Sequence, residues 1–142
     1  MRYWDASGIV PLLVRQARTR EMERVLAQDP EIVTWWGTPV ESLSALMRLV
    51  REDQLGAAEA YDAERRLREL RDTWDEVLPG EACRRTAERI LRVHALRAAD
   101  ALQLAAAWVA ADHDPSRLEV VCLDQRLAEA LRQEGFPLAA LA

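Results

Sequence analysis

This chain of 142 residues alternates short apolar segments with helical patterns. That alternation restricts the possible folds more than any other feature of the sequence. The segments at 2–5, 31–36 and 118–123 are rich in β-branched and aromatic residues, as strands are. Each is followed by apolar residues at helical spacing. Strands separated by helices favour parallel pairing. We therefore predict an α/β fold, a three-layer sandwich with helices flanking a mainly parallel central sheet, formed by 1–142 as a single domain.

Weaker patterns predict the remaining elements. Two helices joined as a hairpin should cover 42–74, and a short strand is possible at 74–78. The helix at 81–94 should turn Cys83, Ala87, Ile90 and Leu91 inward. A helix at 125–134 should end at Gly135, and 137–141 reads as a last edge strand.

The composition excludes several functions. No apolar run is long enough to cross a bilayer, and the N-terminal segment lacks a signal-peptide layout, so we expect a soluble, cytoplasmic protein without membrane contact. All basic residues are arginine, which excludes a P-loop lysine, a Schiff base and a lysine general base. The net charge of −5 disfavours nonspecific attraction to nucleic acid. Cys83 and Cys122 lie in apolar patterns typical of buried, reduced thiols.

Four acidic residues stand where a helix begins or has just begun. Asp5 and Asp124 follow predicted strands, Glu41 opens the helix after the second strand, and Asp100 lies in the first turn of a helix that is apolar almost all round. In an open parallel sheet such positions meet outside the carboxyl ends of the strands. Four carboxylates there would repel one another unless a cation lay between them, and oxygen ligands suit Mg²⁺ or Mn²⁺.

Each acid also has a purely structural interpretation. Asp5 and Asp124 are at positions where they would cap helices, and Glu41 could form a capping box with Thr38. Asp100 could complement the helix dipole. Ser7 could be an N-cap, or it could orient a carboxylate or a metal-bound water.

Other polar residues favour structural roles. His94 is predicted to be a hydrogen-bonded inward histidine, and 112–114 (Asp-His-Asp) a polar turn rather than a metal site. Adjacent Trp35 and Trp36 should point to opposite faces of their strand. Arg97 and Arg126 are candidates to bind a nucleic-acid backbone, although pairing of Arg126 with Glu129 or with another acid on a helix surface is the favoured interpretation.

Four segments together resemble the PIN-domain ribonucleases of the VapC toxin type. They are YWDAS, TPVESLSAL, HALRAADALQLAAAW and VCLDQRLAEAL, which span nearly the whole chain and contain all four acids. The resemblance implies an acidic pocket that binds Mg²⁺ or Mn²⁺, endonucleolytic cleavage of RNA, and inhibition by a cognate antitoxin. It also implies a homodimer, formed here through the 42–74 hairpin.

On this hypothesis Asp5, Asp100 and Asp124 hold the metal, and Glu41 completes the metal site or positions the attacking water. All four are the candidate catalytic residues of a water-activating hydrolase. Two alternatives remain open. One is a non-catalytic RNA- or partner-binding module on the same fold. The other is a metal-dependent phosphatase or DNA nuclease, although the D-x-D start of one phosphatase class is missing because residue 7 is serine.

Overall fold

The computed structural model describes residues 1–141 and contains the predicted α/β sandwich. In chain order the elements are β1 (Arg2–Trp4), α1 (Ala6–Leu13), α2 (Thr19–Gln28), β2 (Ile32–Trp35), α3 (Thr38–Arg51), α4 (Ala57–Arg71), β3 (Asp75–Val77), α5 (Glu81–Val93), α6 (Ala98–Ala110), a 3₁₀ turn (Pro115–Arg117), β4 (Val120–Val121) and α7 (Gln125–Gln133).

The four strands form one sheet in the order β3-β2-β1-β4, and every pairing is parallel. The chain moves outward from β1 to β2 and β3, and then returns to the other side of β1 as β4. The topological switch point therefore lies between β1 and β4, where ligands bind in open parallel sheets. Asp5 follows β1 directly, and Asp124 comes three residues after the end of β4.

Alternating side chains of the strands supply two separate cores. Tyr3 and Val120 face the layer made by α5, α6 and α7. Trp4 and Val121 face the opposite layer, made by α1 to α4. Because both faces of the sheet are covered, β2 and β4 are buried throughout, whereas the edge strand β3 carries the charged Asp75 and Glu76. The predicted three-layer sandwich with a parallel sheet is confirmed.

The last strand, the segment after α7 and one face of α5 differ from prediction. The segment 118–123 pairs as a strand only at Val120–Val121, and 137–141 contributes a single parallel bridge, between Leu138 and Val120, rather than a strand. Leu91 is exposed, whereas Cys83, Ala87 and Ile90 are buried as expected. The reason is angular: Leu91 lies one residue beyond the buried Ile90, so it is rotated about 100° off the inward stripe.

Several smaller predictions are confirmed. Both cysteines are buried free thiols. Trp35 is buried and its neighbour Trp36 is half exposed, although Trp36 lies just beyond the end of β2 and the two rings meet edge to face at 6.5 Å rather than on opposite faces of the strand. The Asp-His-Asp segment is an exposed turn in which Asp112 and His113 adopt positive φ. Among residues 1–141, no helix combines the length and apolar character that crossing a membrane requires.

Candidate active site at the carboxyl edge of the sheet

The four predicted acids lie close enough together to influence one another's ionisation. The charge of Asp124 raises the pKa of Asp5, after the larger effect of burial. The charges of Asp5 and Asp100 raise the pKa of Glu41, again after burial. Burial and then Asp124 raise the pKa of Asp100. The four interactions form a closed ring, so the structure brings all four carboxylates to the same edge of the sheet.

The four carboxylates differ in their exposure to solvent. Asp5 is 4% exposed, Glu41 and Asp100 are partly buried, and Asp124 is exposed. Burial raises the pKa of Asp5 to about 6, although the Ser7 hydroxyl partly opposes this by donating to its carboxylate. Burial raises the pKa of Glu41 to about 7, opposed in part by a hydrogen bond from Gln103. The cluster therefore extends from the buried Asp5 to the solvent-exposed Asp124.

Ser7 joins the ends of β1 and β4. Its hydroxyl donates to Asp5 Oδ1 at 2.7 Å and accepts the backbone amides of Leu123, at 2.8 Å, and Asp124, at 3.2 Å. Ser7 is thus no N-cap, because that position belongs to Asp5. The serine instead fixes the distance between two of the four acids, which supports the prediction that it orients a carboxylate.

Glu41 does not form the predicted capping box with Thr38. The N-cap of α3 is Gly37, and Thr38 is already helical and fully buried. Its hydroxyl lies 2.7 Å from Thr34 Oγ1 and accepts from Gln103 at 3.0 Å, so it is committed to tertiary contacts. Glu41 Oε1 accepts from Gln103 Nε2 at 3.2 Å. The Glu41 carboxylate therefore faces the acid cluster rather than its own backbone amide.

Asp124 caps a helix, as its structural interpretation predicts. Its Oδ1 accepts the amide of Leu127 at 2.8 Å, which caps α7. A capping carboxylate uses one oxygen, so the second remains available to a ligand. Asp5 occupies the N-cap position of α1 without a side-chain capping bond. Asp100 lies in the first turn of α6, where the dipole favours a carboxylate.

Two arginines lie at the rim of the cluster. The charges of Arg126 and Arg97 lower the pKa of Asp100 against the effects of burial and Asp124. Both arginines are exposed. Glu129 pairs with Arg132 at 3.6 Å rather than with Arg126, so of the two favoured partners for Arg126 the structure supports another helix acid, Asp100 on α6. The rim therefore carries positive charge beside an acidic pocket.

The donor set consists of carboxylate oxygens, which fits a hard divalent cation such as Mg²⁺ or Mn²⁺. A buried carboxylate that is repelled by neighbouring carboxylates gains stability from such an ion. Within residues 1–141, however, no three His, Cys, Asp or Glu side chains are already gathered as a ligand set. The four acids are neighbours whose side chains would have to turn toward a shared ion.

Two groups of polar residues had no strong signal in the sequence. The first comprises Tyr3, Thr34 and Gln103, which connect to Glu41 and the backbone beside Asp5. The second centres on Glu134, which accepts from Arg89, His94 and Trp108. A faint signal existed for Gln103: it is the one polar uncharged residue of an otherwise apolar helix, three positions after Asp100.

Comparison with known proteins shows the fold. No protein-family model matches the sequence, and no curated protein matches it either. A solved structure described as a toxin-antitoxin complex from Klebsiella pneumoniae resembles this one with a TM-score of 0.63. The superposition covers 99% of this chain and 97% of that chain, and the two sequences are 18% identical. At that identity the likeness concerns the architecture alone.

Proposed function

We propose that this chain is a divalent-metal-dependent endoribonuclease and the toxin of a toxin-antitoxin pair. The observation that carries the proposal is the closed ring of interacting carboxylates, Asp5, Glu41, Asp100 and Asp124, at the switch point of the sheet. The resemblance of the four sequence segments to PIN-domain ribonucleases of the VapC type supports the choice of RNA. The structural likeness to a chain of a toxin-antitoxin complex supports the biological role.

Asp5, Asp100, Asp124 and Glu41 would hold Mg²⁺ or Mn²⁺, which would supply activation of a water molecule and compensation of charge on the scissile phosphate. The surroundings of each carboxylate suggest a different role for it. Asp5 is fixed by Ser7 at the buried end of the pocket, and Asp124 stands at its exposed mouth. Glu41 keeps one oxygen on Gln103, so its other oxygen is free to orient or deprotonate a water.

We expect the RNA substrate to approach over the rim of the carboxylate cluster, where Arg97 and Arg126 lie. An acidic protein with a net charge of −5 repels nucleic acid over most of its surface. Arg97 and Arg126 are exposed beside the pocket, where guanidinium groups can bind backbone phosphates in a bidentate manner. Local positive charge next to the carboxylates would therefore place a phosphodiester at the acidic edge.

The proposal includes two protein partners, an antitoxin and a second copy of the chain. The 42–74 hairpin and the start of α3 carry exposed apolar side chains, among them Val40, Leu43 and Tyr61. A groove of about 260 Å³ between α3 and α4 is lined by Pro39, Val40, Leu43, Leu67 and three charged residues. Exposed apolar surface of this kind supports association. Light scattering of the purified chain, alone and with the product of a neighbouring small gene, tests both partners.

The decisive experiment compares Asp5→Asn and Asp100→Asn with the control Asp112→Asn, which makes the same chemical change in an exposed turn. Single-stranded RNA, DNA of the same sequence and a small phosphate ester serve as substrates, with Mn²⁺ or with a chelator. We expect Mn²⁺-dependent cleavage of RNA by the wild type and the control, and at least a hundredfold loss in the two site variants. RNA binding without cleavage would instead identify a binding module, and cleavage of DNA or the ester alone would identify a different hydrolase.

A further inference from the structure

Gln103 is a buried amide in a helix that is otherwise apolar around it. Its side chain is 1% exposed and makes three hydrogen bonds. Nε2 donates to Thr38 Oγ1 at 3.0 Å and to Glu41 Oε1 at 3.2 Å, and Oε1 accepts the Tyr3 hydroxyl at 2.6 Å. Both amide protons and the carbonyl oxygen therefore have partners. Such complete pairing holds a side chain in one orientation.

The direction of each hydrogen bond in this network follows from the last one, which Thr34 donates to the Trp4 carbonyl. The Thr34 hydroxyl donates to the Trp4 carbonyl at 2.6 Å, so it has no proton left for Thr38. Thr38 must then donate to Thr34 and accept from Gln103. The Tyr3 hydroxyl, whose pKa burial raises well above its ordinary value, remains a donor to the amide oxygen. The NH₂ group of Gln103 is thus directed at Glu41, and a flipped amide would face Tyr3 with the wrong atom.

The network binds one of the four acids directly and contacts the backbone segments that carry two others. Gln103 follows Asp100 by three residues on α6, and residues at that spacing lie on the same helix face. It donates directly to Glu41 on α3. Through Thr38 and Thr34 it reaches the Trp4 carbonyl, which immediately precedes Asp5. A single side chain therefore couples α6, α3 and the end of β1, whereas Ser7 couples β1 to the end of β4.

We propose that Gln103 is a positioning residue that holds the Glu41 carboxylate in register with Asp5 and Asp100, with Tyr3 fixing the orientation of the amide. The inference rests on the proposed metal-dependent nuclease function. The competing explanation is that Gln103 only stabilises the core, because any buried polar group needs partners. Two measurements separate these explanations, one of them independent of catalysis.

The test uses the full chain and three variants. Gln103→Met removes both donors at nearly constant volume, and Tyr3→Phe removes only the contact that orients the amide. Thr19→Val is the matched control: the buried Thr19 hydroxyl donates to the Pro11 carbonyl at 2.7 Å and accepts the Gln16 amide at 2.8 Å, and its hydrogen bonds involve none of the four acids. Calorimetric titration gives the Mn²⁺ affinity, and steady-state kinetics on RNA give kcat and KM. Thermal unfolding is recorded for each protein.

We expect Gln103→Met to weaken Mn²⁺ binding roughly tenfold and to lower kcat by about 10- to 100-fold, the usual effect of losing a partner that orients a ligand. KM for RNA should stay unchanged. Tyr3→Phe should show the same changes to a smaller degree, because the amide keeps both donors. Thr19→Val should lose stability without a change in Mn²⁺ affinity or kcat.

Mn²⁺ affinity and kcat of Gln103→Met within twofold of the wild type would overturn the positioning role. Equal losses in Thr19→Val would overturn it too, since the effect would then come from general destabilisation. A wild type that binds Mn²⁺ but cuts no RNA would contradict the nuclease proposal alone, and Gln103 would then be judged by Mn²⁺ affinity. A wild type that binds no Mn²⁺ would overturn both.

Discussion

The hydroxyl oxygen of Ser7 accepts the backbone amide of Asp124 at 3.2 Å, although 117 residues separate the two in the sequence. The same hydroxyl donates to Asp5, so one small side chain sets the spacing of two acids that follow neighbouring strands. A serine three residues after the end of a strand is an ordinary sequence feature. Its importance here comes from the parallel pairing of β1 with β4.

Replacing Ser7 by alanine should damage both stability and activity. The Leu123 and Asp124 amides would lose their acceptor, which costs about 1–3 kcal/mol when a buried partner is left unpaired. The pKa of Asp5 would rise further, because the Ser7 hydrogen bond lowers it. Urea unfolding and Mn²⁺-dependent RNA cleavage measure the two effects. Ser44→Ala, an exposed serine on α3, is the control and should change neither. Normal cleavage by Ser7→Ala would show that the spacing is set elsewhere.

Asp5→Asn should make the metal-free protein more stable while abolishing cleavage. A neutral amide avoids the burial of a charge and the repulsion by Asp124 that together raise the pKa of Asp5. The expected gain at pH 8 is roughly 1–3 kcal/mol, since 1.36 kcal/mol corresponds to each pH unit by which a pKa is displaced. Urea unfolding in a chelator measures it. The exposed control Asp112→Asn should stay within about 0.5 kcal/mol of the wild type. A destabilised Asp5→Asn variant would contradict a raised pKa of Asp5 in the native state.

The pH dependence of that gain has a definite sign. The folded-state pKa of Asp5 is raised from 3.8 to about 6, so the native state holds a proton that the unfolded state has released. The contribution of Asp5 to native stability therefore falls as pH rises from about 4 to 6 and levels off above. Asparagine does not titrate. The difference in unfolding free energy between Asp5→Asn and wild type should consequently grow between pH 4 and pH 7 in a chelator. A constant difference across that range would be inconsistent with a protonated, buried Asp5.

Glu134 is a second buried carboxylate, but its role is stability. It accepts from Arg89, His94 and Trp108, and these hydrogen bonds outweigh burial and lower its pKa to about 2. Glu134→Ala should cost about 3 kcal/mol, because it leaves partly buried donors unpaired. Thermal unfolding measures the loss. Glu129→Ala, which removes an exposed partner of Arg132, should cost less than about 1 kcal/mol. Cleavage at saturating Mn²⁺ should be unchanged in both variants, and a specific loss of activity in Glu134→Ala would overturn the assignment.

The sequence predicted the frame of the molecule because its signals are local. Strand β1 and strand β2 were recognisable from β-branched and aromatic residues, and the helices from apolar spacing. The positions of the acids followed from those elements, since parallel strands share a carboxyl edge. Burial, exposure and electrostatic interaction of the carboxylates required the folded chain.

The errors concern contacts between distant residues. Threonine is a favoured N-cap residue, but the Thr38 hydroxyl is hydrogen-bonded to Thr34 and Gln103. Gly37 occupies the N-cap position of α3 instead. The segment 137–141 lies beside β4, yet β4 is only two residues long and leaves room for one bridge. Neither set of contacts can be predicted from neighbouring residues in the sequence, because the partners lie up to 65 positions apart.

The interior location of β1 has a consequence for synthesis. Strand β1 is made first, but one of its two neighbours in the sheet, β4, begins only at residue 120. A ribosome releases the chain from its N-terminus, so β1 keeps one edge unpaired until Val120 and Val121 have emerged. Asp124 emerges later still. A nascent chain therefore cannot assemble the complete carboxylate ring before the segment that carries Asp124 has been synthesised and released.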